Sequence, residues 1–239
     1  MKVLINKALK NVGYQIKKYD KEEASRFKII KHLSINKLLD VGANIGQYSL
    51  DMRKHGFTNQ IISFEPLKSA YGQLQITASA DKNWIVCNYA LGNENTESLI
   101  NVSENSMSSS ILNMLPDHLK SAPESKYVTQ QNIEIKKLDT VFSDFYKEGD
   151  NIMLKIDTQG YEKNVILGAE NSLPQIKLLQ LEMSVVPLYE NEILFTEMID
   201  FLDRKGFDLF FLENGFVDQK TGKLLQLDGI FVNKNIHLN

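Results

Sequence analysis

The sequence predicts an α/β protein built on a mostly parallel, doubly wound sheet, and three observations predict it. An apolar run (Leu38, Leu39, Val41) breaks at Gly42, turns through Ala43-Asn44 and enters a helical pattern of Ile45, Tyr48, Ser49 and Met52. A second apolar run, Ile61, Ile62 and Phe64, ends in Glu65-Pro66. The stretch from Asn151 to Glu170 repeats this logic, with Ile152-Met153-Leu154-Lys155-Ile156 delivering Asp157 and Gln159 ahead of another helix. Strands that alternate with helices in this way form βαβ units.

The elements follow in order. Residues 1–36 read as a helical extension: Ile5, Leu9, Val12 and Ile16 make a stripe among Lys2, Lys7, Lys10, Lys17 and Lys18, and Glu22 to Leu33 makes a second helix. The basic stripe is a candidate contact for its own domain or for a second copy in a homo-oligomer. Residues 37–239 read as one domain. The helix after the first strand closes at Gly56, a residue that tolerates the left-handed conformation. A helix from Leu67 to Ala80 precedes a strand from Trp84 to Tyr89 and then Ala90-Leu91-Gly92. Ser98 to Val102 is extended. Residues 103–131, with Ser106, Ser108, Ser109, Ser110, Pro116 and Pro123, carry the least pattern and are expected to form a substrate-side lid. Ile133 to Leu138 alternates as a half-exposed strand does, and Asp139-Thr140 is expected to cap a helix through Phe145. Ile176 to Glu182 is the next strand. Phe195, Met198, Ile199 and Leu202 mark a helix closed by Gly206, and Phe207 to Leu212 with Asp228 to Val232 form a final antiparallel pair.

Composition narrows the function. With 239 residues the chain can bury a sizeable core, and its net charge of -3 argues against a general nucleic-acid binder. The single cysteine, Cys87, excludes an internal disulfide and a cysteine metal cluster. No run approaches the length of a membrane span, and the N-terminus lacks the apolar core of a secretory signal, so a cytoplasmic protein is the simplest expectation.

Ligands of open parallel sheets bind outside the carboxyl ends of the strands. Gly42 and Gly46 would open the backbone to such a ligand, and Glu65, at the end of the second strand, suits the two hydroxyls of a ribose. A dinucleotide fingerprint has the same layout, but its middle glycine is here Asn44, and Asp40 sets a negative charge where a diphosphate would sit. A cation suits Asp40 better. S-adenosylmethionine carries a sulfonium, an ammonium and no phosphate, so it matches this set, with Asn88 and Ala90 expected beside the adenine.

With these residues laid out, the chain resembles the FkbM family of methyltransferases. The matching elements are Asp40-Val-Gly-Ala-Asn-Ile-Gly46, Ser63-Phe-Glu-Pro66, Asn88-Tyr-Ala-Leu-Gly92, Lys155-Ile-Asp-Thr-Gln-Gly-Tyr-Glu162, Leu181-Glu182 and Pro187-Leu-Tyr189. The resemblance implies a class I methyltransferase fold, a Rossmann-like seven-stranded sheet with helices on both faces and an antiparallel last strand. It also implies O-methylation of a small-molecule or glycan acceptor. One departure is Gln159, where the family's motif carries an acid.

A hydroxyl acceptor needs a base within hydrogen-bond reach. Asp157 is the first candidate, Glu182 the second, and Lys155 could orient a carboxylate or oxyanion, whereas Glu162 suits a helix cap. Asp157, Gln159, Glu182 and Asp228 offer oxygen ligands, but no compact motif supports a metal, and none is assigned. Of the four histidines only His118, in the expected lid, is a catalytic candidate. An NAD-dependent oxidoreductase and a non-catalytic nucleoside-binding module of the same fold are the alternatives.

Overall fold

The computed structural model describes residues 21–236, so the stripe from Ile5 to Ile16 and its homo-oligomer contact lie outside the described residues. Ten strands and seven α-helices follow one another along this part of the chain. Seven strands form one sheet: β1 (Lys37–Val41), β2 (Gln60–Phe64), β3 (Trp84–Cys87), β7 (Ile152–Ile156), β8 (Ile176–Ser184), β9 (Phe207–Asn214) and β10 (Gln226–Asn233). Their order is β3-β2-β1-β7-β8-β10-β9, and only β10 runs antiparallel to its neighbours. This is the class I methyltransferase order expected from the sequence.

Burial on both faces explains why the strands read as near-continuous apolar runs. Successive side chains point to opposite sides, so each strand feeds two cores. Leu39, Val41, Ile62, Phe64, Leu154 and Ile156 pack on one side against α5 (Leu138–Phe145), α6 (Glu162–Leu167) and α7 (Phe195–Arg204). Leu38, Ile61, Met153 and Leu178 pack on the other against α1 (Lys21–His32), α2 (Gln47–Lys54) and α3 (Lys68–Ala78). The sheet is thus a sandwich filling.

Three sequence expectations shift. The strand from Trp84 stops at Cys87, and Ala90–Leu91 forms β4 of a second sheet with order β4-β6-β5, where β5 is Thr96–Ser103 and β6 is Tyr127–Lys136. Residues 103–131 are therefore less irregular than expected, since they hold α4 (Pro116–Ser121) and the start of β6. Asp139 does not cap α5. The cap position is Lys137, and the Asp139 carboxylate instead accepts from the backbone N–H groups of Asn171 at 3.1 Å and Ser172 at 2.9 Å, tying α5 to the loop after α6.

Candidate active site

The strand register builds the site. Ser63, Asp40, Lys155 and Gln180 are successive partners across β2, β1, β7 and β8, so four polar side chains stand in one row on the face covered by α1 to α3. All four are buried. Two residues further along come Glu65, Gly42, Asp157 and Glu182, and Asp228, which faces Glu182 across β10 and β8, continues the line. The buried row is a foundation and the second row is a rim.

Within the foundation the polar groups pair with one another, although Asp40 Oδ1 has an ion-pair contact and no hydrogen bond. Ser49 of α2 donates to Asp40 Oδ2 at 2.7 Å, and Trp84 Nε1 donates to Ser63 Oγ at 2.9 Å. Lys155 Nζ lies 3.4 Å from Asp40 Oδ1 and 3.3 Å from Asp157 Oδ2. Burial pulls the Lys155 pKa down, but the carboxylates of Asp157 and Asp40 outweigh it and raise it above the ordinary lysine value. Lys155 is a fixed cation. Tyr48 donates to Gln180 Oε1 at 2.6 Å and lies under the Lys155 ammonium, 5.2 Å from Nζ to the ring centroid.

The rim bounds a cavity of about 550 Å³ whose walls include Gly42, Asn44, Glu65, Ala90, Lys155, Asp157 and Glu182. Seven of the residues singled out in the sequence meet there. Three do not. Asp40 is fully buried beneath the cavity, so its charge serves Lys155 and Ser49 rather than a ligand. Gly46 begins α2 at φ 93°, and a Cβ there would meet Leu74 Cδ1 at 2.9 Å, so its missing side chain makes room for the core. Asn88 Nδ2 donates to the carbonyls of Glu65 at 2.9 Å and Pro66 at 3.1 Å, which clamps the end of β2 from outside the cavity. Gly42 does line the cavity, but its bareness also has an internal cause: at φ 76° a Cβ would fall 1.8 Å from the Asp157 carbonyl oxygen.

At one end of the cavity the Glu65 carboxylate accepts from the backbone N–H of Asn44 and of Leu67, each at 2.8 Å. Asn44 holds φ 48°, a left-handed turn that asparagine tolerates where most side chains do not. Burial pushes Glu65 up to about 7, against the two backbone donors that pull it down. Ala90, Leu91 and Ile100 form an apolar wall beside it, and Ser106, Met107, Ser109 and Ile111 cover it. Asn44 Nδ2 donates to Ser106 Oγ at 3.2 Å, joining the glycine turn to this cover. The serine cluster is mostly self-knit: Ser108 Oγ and Ser125 Oγ are 2.9 Å apart, and Ser109 Oγ donates to the Ser106 carbonyl at 2.8 Å.

At the other end Gln159 Nε2 donates to Asp157 Oδ1 at 2.9 Å and to Glu182 Oε2 at 2.8 Å. Gln226 Nε2 also donates to Glu182 Oε2, at 2.8 Å. Burial, followed by the nearby charges of Asp157 and Asp228, pushes Glu182 well above the usual carboxylate range. Glu162 does not act at the cavity. Its Oε1 accepts from the backbone N–H of Thr158 at 2.8 Å and of Gly160 at 3.2 Å, which closes the loop after β7. His118 is buried against Tyr189 and Phe216, with ring centroids 5.2 and 5.6 Å away, and burial lowers it to about 4.

The family model of the methyltransferase FkbM domain matches residues 40–209, well over half of the chain. The chain belongs to the FkbM methyltransferase family. No curated protein matches it. Among solved structures this family member is similar to a precorrin-6y C5,15-methyltransferase from Geobacter metallireducens at 12% identity, covering 92% of this chain and 93% of that one with a TM-score of 0.45. It is also similar to an rRNA methylase from Streptococcus thermophilus (8% identity, 92% and 99% covered, TM-score 0.45). A fibrillarin pre-rRNA processing protein from Methanococcus jannaschii gives 11% identity, 84% and 67% covered, and a TM-score of 0.48.

Among the cavity and rim groups of this FkbM-family chain that the sequence does not single out are Arg26, Tyr48, Gln180 and Gln226. Arg26 comes from α1, outside the span of the family match, and reaches the cavity wall while paired to Glu213 at 3.1 Å. Tyr48 lies in the helical pattern after the first strand and Gln180 inside the run from Ile176 to Glu182, so neither stands out as a site residue. Only the register, which sets Gln180 beside Lys155, would have exposed them.

Proposed function

We propose that the chain transfers the methyl group of S-adenosylmethionine to a hydroxyl of a sugar, glycan or secondary metabolite. One observation carries this reading: a single cavity has a nucleoside-fitting end, Glu65 with Gly42 and Asn44, and a carboxylate end, Asp157 with Glu182. The donor set fits the cofactor. Glu65 spends one lone pair of each oxygen on a backbone N–H and keeps the others for ribose hydroxyls, while Ala90, Leu91 and Ile100 offer an apolar face to a purine. Asp157 lines the same cavity and suits the positive charge of a sulfonium.

When bound, S-adenosylmethionine supplies a methyl carbon on a cationic sulfur that departs as a neutral thioether. The chain's own groups supply the rest. Asp157 takes the proton that the acceptor hydroxyl loses as its oxygen binds carbon, a role general bases fill at about 10²- to 10⁴-fold in rate. Lys155 holds the Asp157 carboxylate in place from below, and Glu182 offers a hydrogen-bonding partner to the acceptor. Positioning accounts for most of the remaining barrier, because an in-line displacement needs two reactants held in near-attack geometry. Ser106, Met107, Ser109 and Ile111 line the same cavity and narrow it around the donor.

Calorimetry with S-adenosylmethionine and its demethylated product, followed by mass spectrometry of hydroxylated acceptors incubated with labelled donor, tests the reading. Saturable heat with both, and label on an acceptor oxygen, are expected. Asp157→Asn should keep donor binding and lose at least about 100-fold in turnover. No heat with either nucleoside, or tight NADH binding in their place, would overturn it.

A further inference from the structure

Gln159 holds φ 55°, in the left-handed region, and hydrogen bonds converge on it from three sides. Ser110 Oγ donates to its carbonyl at 2.7 Å, and the Tyr189 hydroxyl donates to its Oε1 at 2.6 Å. Its Nε2 carries two hydrogens and meets two carboxylate oxygens, one on Asp157 and one on Glu182. The Tyr189 hydroxyl, donating to Oε1, and the carboxylate oxygens, accepting from Nε2, together set which end of Gln159 faces the carboxylates. Tyr189 is itself locked, since it is buried, packs on His118, and forms a bridge with Met114 at the edge of the cover.

We propose that Gln159, oriented by Tyr189, is a positioning residue that divides charge between the two rim carboxyls, leaving Asp157 as the anion that accepts the proton and Glu182 as the holder of one. The inference rests on the reading of Asp157 as the base and names what sets it up. Two like charges sharing one donor group oppose one another, which favours a proton on one of the two carboxyls. The surroundings choose which. Asp157 Oδ2 faces the Lys155 ammonium at 3.3 Å, whereas Glu182 Oε2 meets only the neutral amides of Gln159 and Gln226. The other charged or titratable groups around the pair are Asp228 on β10, Glu162 on α6, Tyr189 in the loop after β8, Asp40 behind Lys155, Tyr48 on α2 and Arg26 on α1. The acids among them oppose ionisation of Glu182. The departure from the family's acid at this position thus has a physical meaning: an acid at 159 would add a third carboxyl against the same two oxygens.

The test compares the full-length chain with its Gln159→Glu and Tyr189→Phe variants, read by pH-difference infrared spectroscopy of protonated carboxyls. Glu182→Gln assigns the Glu182 band. The wild type should show that band persisting through neutral pH. Gln159→Glu should add a second band there, and Tyr189→Phe should move the Glu182 titration by about one pH unit, since a freed amide can turn its oxygen toward the carboxylates. With an acceptor in hand, both variants should lose about tenfold or more in kcat while the KM for the donor stays within twofold. Folded variants with wild-type infrared titrations would overturn the proposal. If Tyr189→Phe fails to fold, Gln159→Glu decides by the same readout. The two readings fail separately: a wild type that methylates no hydroxyl sinks the proposed function, while the infrared titration alone rules on the pair.

Discussion

At the scale of single residues, Glu65 shows how one carboxylate can be both structural and functional. Each of its oxygens satisfies a backbone N–H, at Asn44 and at Leu67, that would otherwise be left unpaired. Glu65→Ala should therefore cost about 2–4 kcal/mol in urea denaturation, at roughly 1–2 kcal/mol per orphaned donor, and weaken donor binding at least tenfold by calorimetry. Asp40 is the contrasting case. Its sequence position suggested a ligand-facing acid, yet it is the buried partner of Lys155. Asp40→Ala removes that partner and should destabilise by about 3–5 kcal/mol, the typical cost of breaking a buried pair, measured the same way. Position along a strand was legible in the sequence; depth was not. Whether residue 40 or residue 42 reaches the rim depends on where the neighbouring strands end.

At the scale of elements, β1, β2, β7 and β8 were legible because their apolar runs are long and end in polar residues at a turn. The small sheet was not. The extended run from Ser98 and the alternation from Ile133 mark two of its strands, but its pairs join Thr96 to Ile135 and Ala90 to Ile135, and no local pattern says which segments meet. The cover has the same origin: its order comes from Asn101 pairing with Ser110, Met114 with Tyr189, and Tyr127 donating to the Leu112 carbonyl at 2.8 Å. The turn after β1 gives a sharper prediction. In Gly42→Ala the new methyl would meet backbone, the Asp157 carbonyl, whereas in Gly46→Ala it would meet the flexible end of Leu74 and the Trp84 ring. Both alanines sit at positive φ, so both lose stability, but thermal melts should show the Gly42 variant lower by several degrees more, or failing to fold.

At the scale of the whole molecule, several buried acids tie stability to pH. Glu65 and Glu162 are each pushed up to about 7 by burial, and Glu182 and Asp228 are raised for the same reason first. A carboxyl whose folded pKa exceeds its unfolded value binds more protons in the folded state, so stability falls as pH rises through that window. For Glu65 and Glu162 the window runs from the ordinary glutamate value of 4.5 to about 7. His118, lowered to about 4, works in the opposite sense and loses stability as pH falls below its ordinary 6.5. The acids outnumber it. The ligand-free protein should therefore melt higher at about pH 5.5 than at pH 8, and Glu162→Gln should flatten that slope even though it weakens the loop after β7. Strand order has a temporal side as well. β10 inserts between β8 and β9 yet is the last strand in the chain order described, and it brings Gln226 and Asp228 to the rim. A polypeptide still emerging from the ribosome thus owns Gly42, Asn44 and Glu65 long before it can finish the opposite wall, and a prematurely terminated product lacking β10 would carry half a pocket, with Glu182 stripped of Gln226 and Asp228.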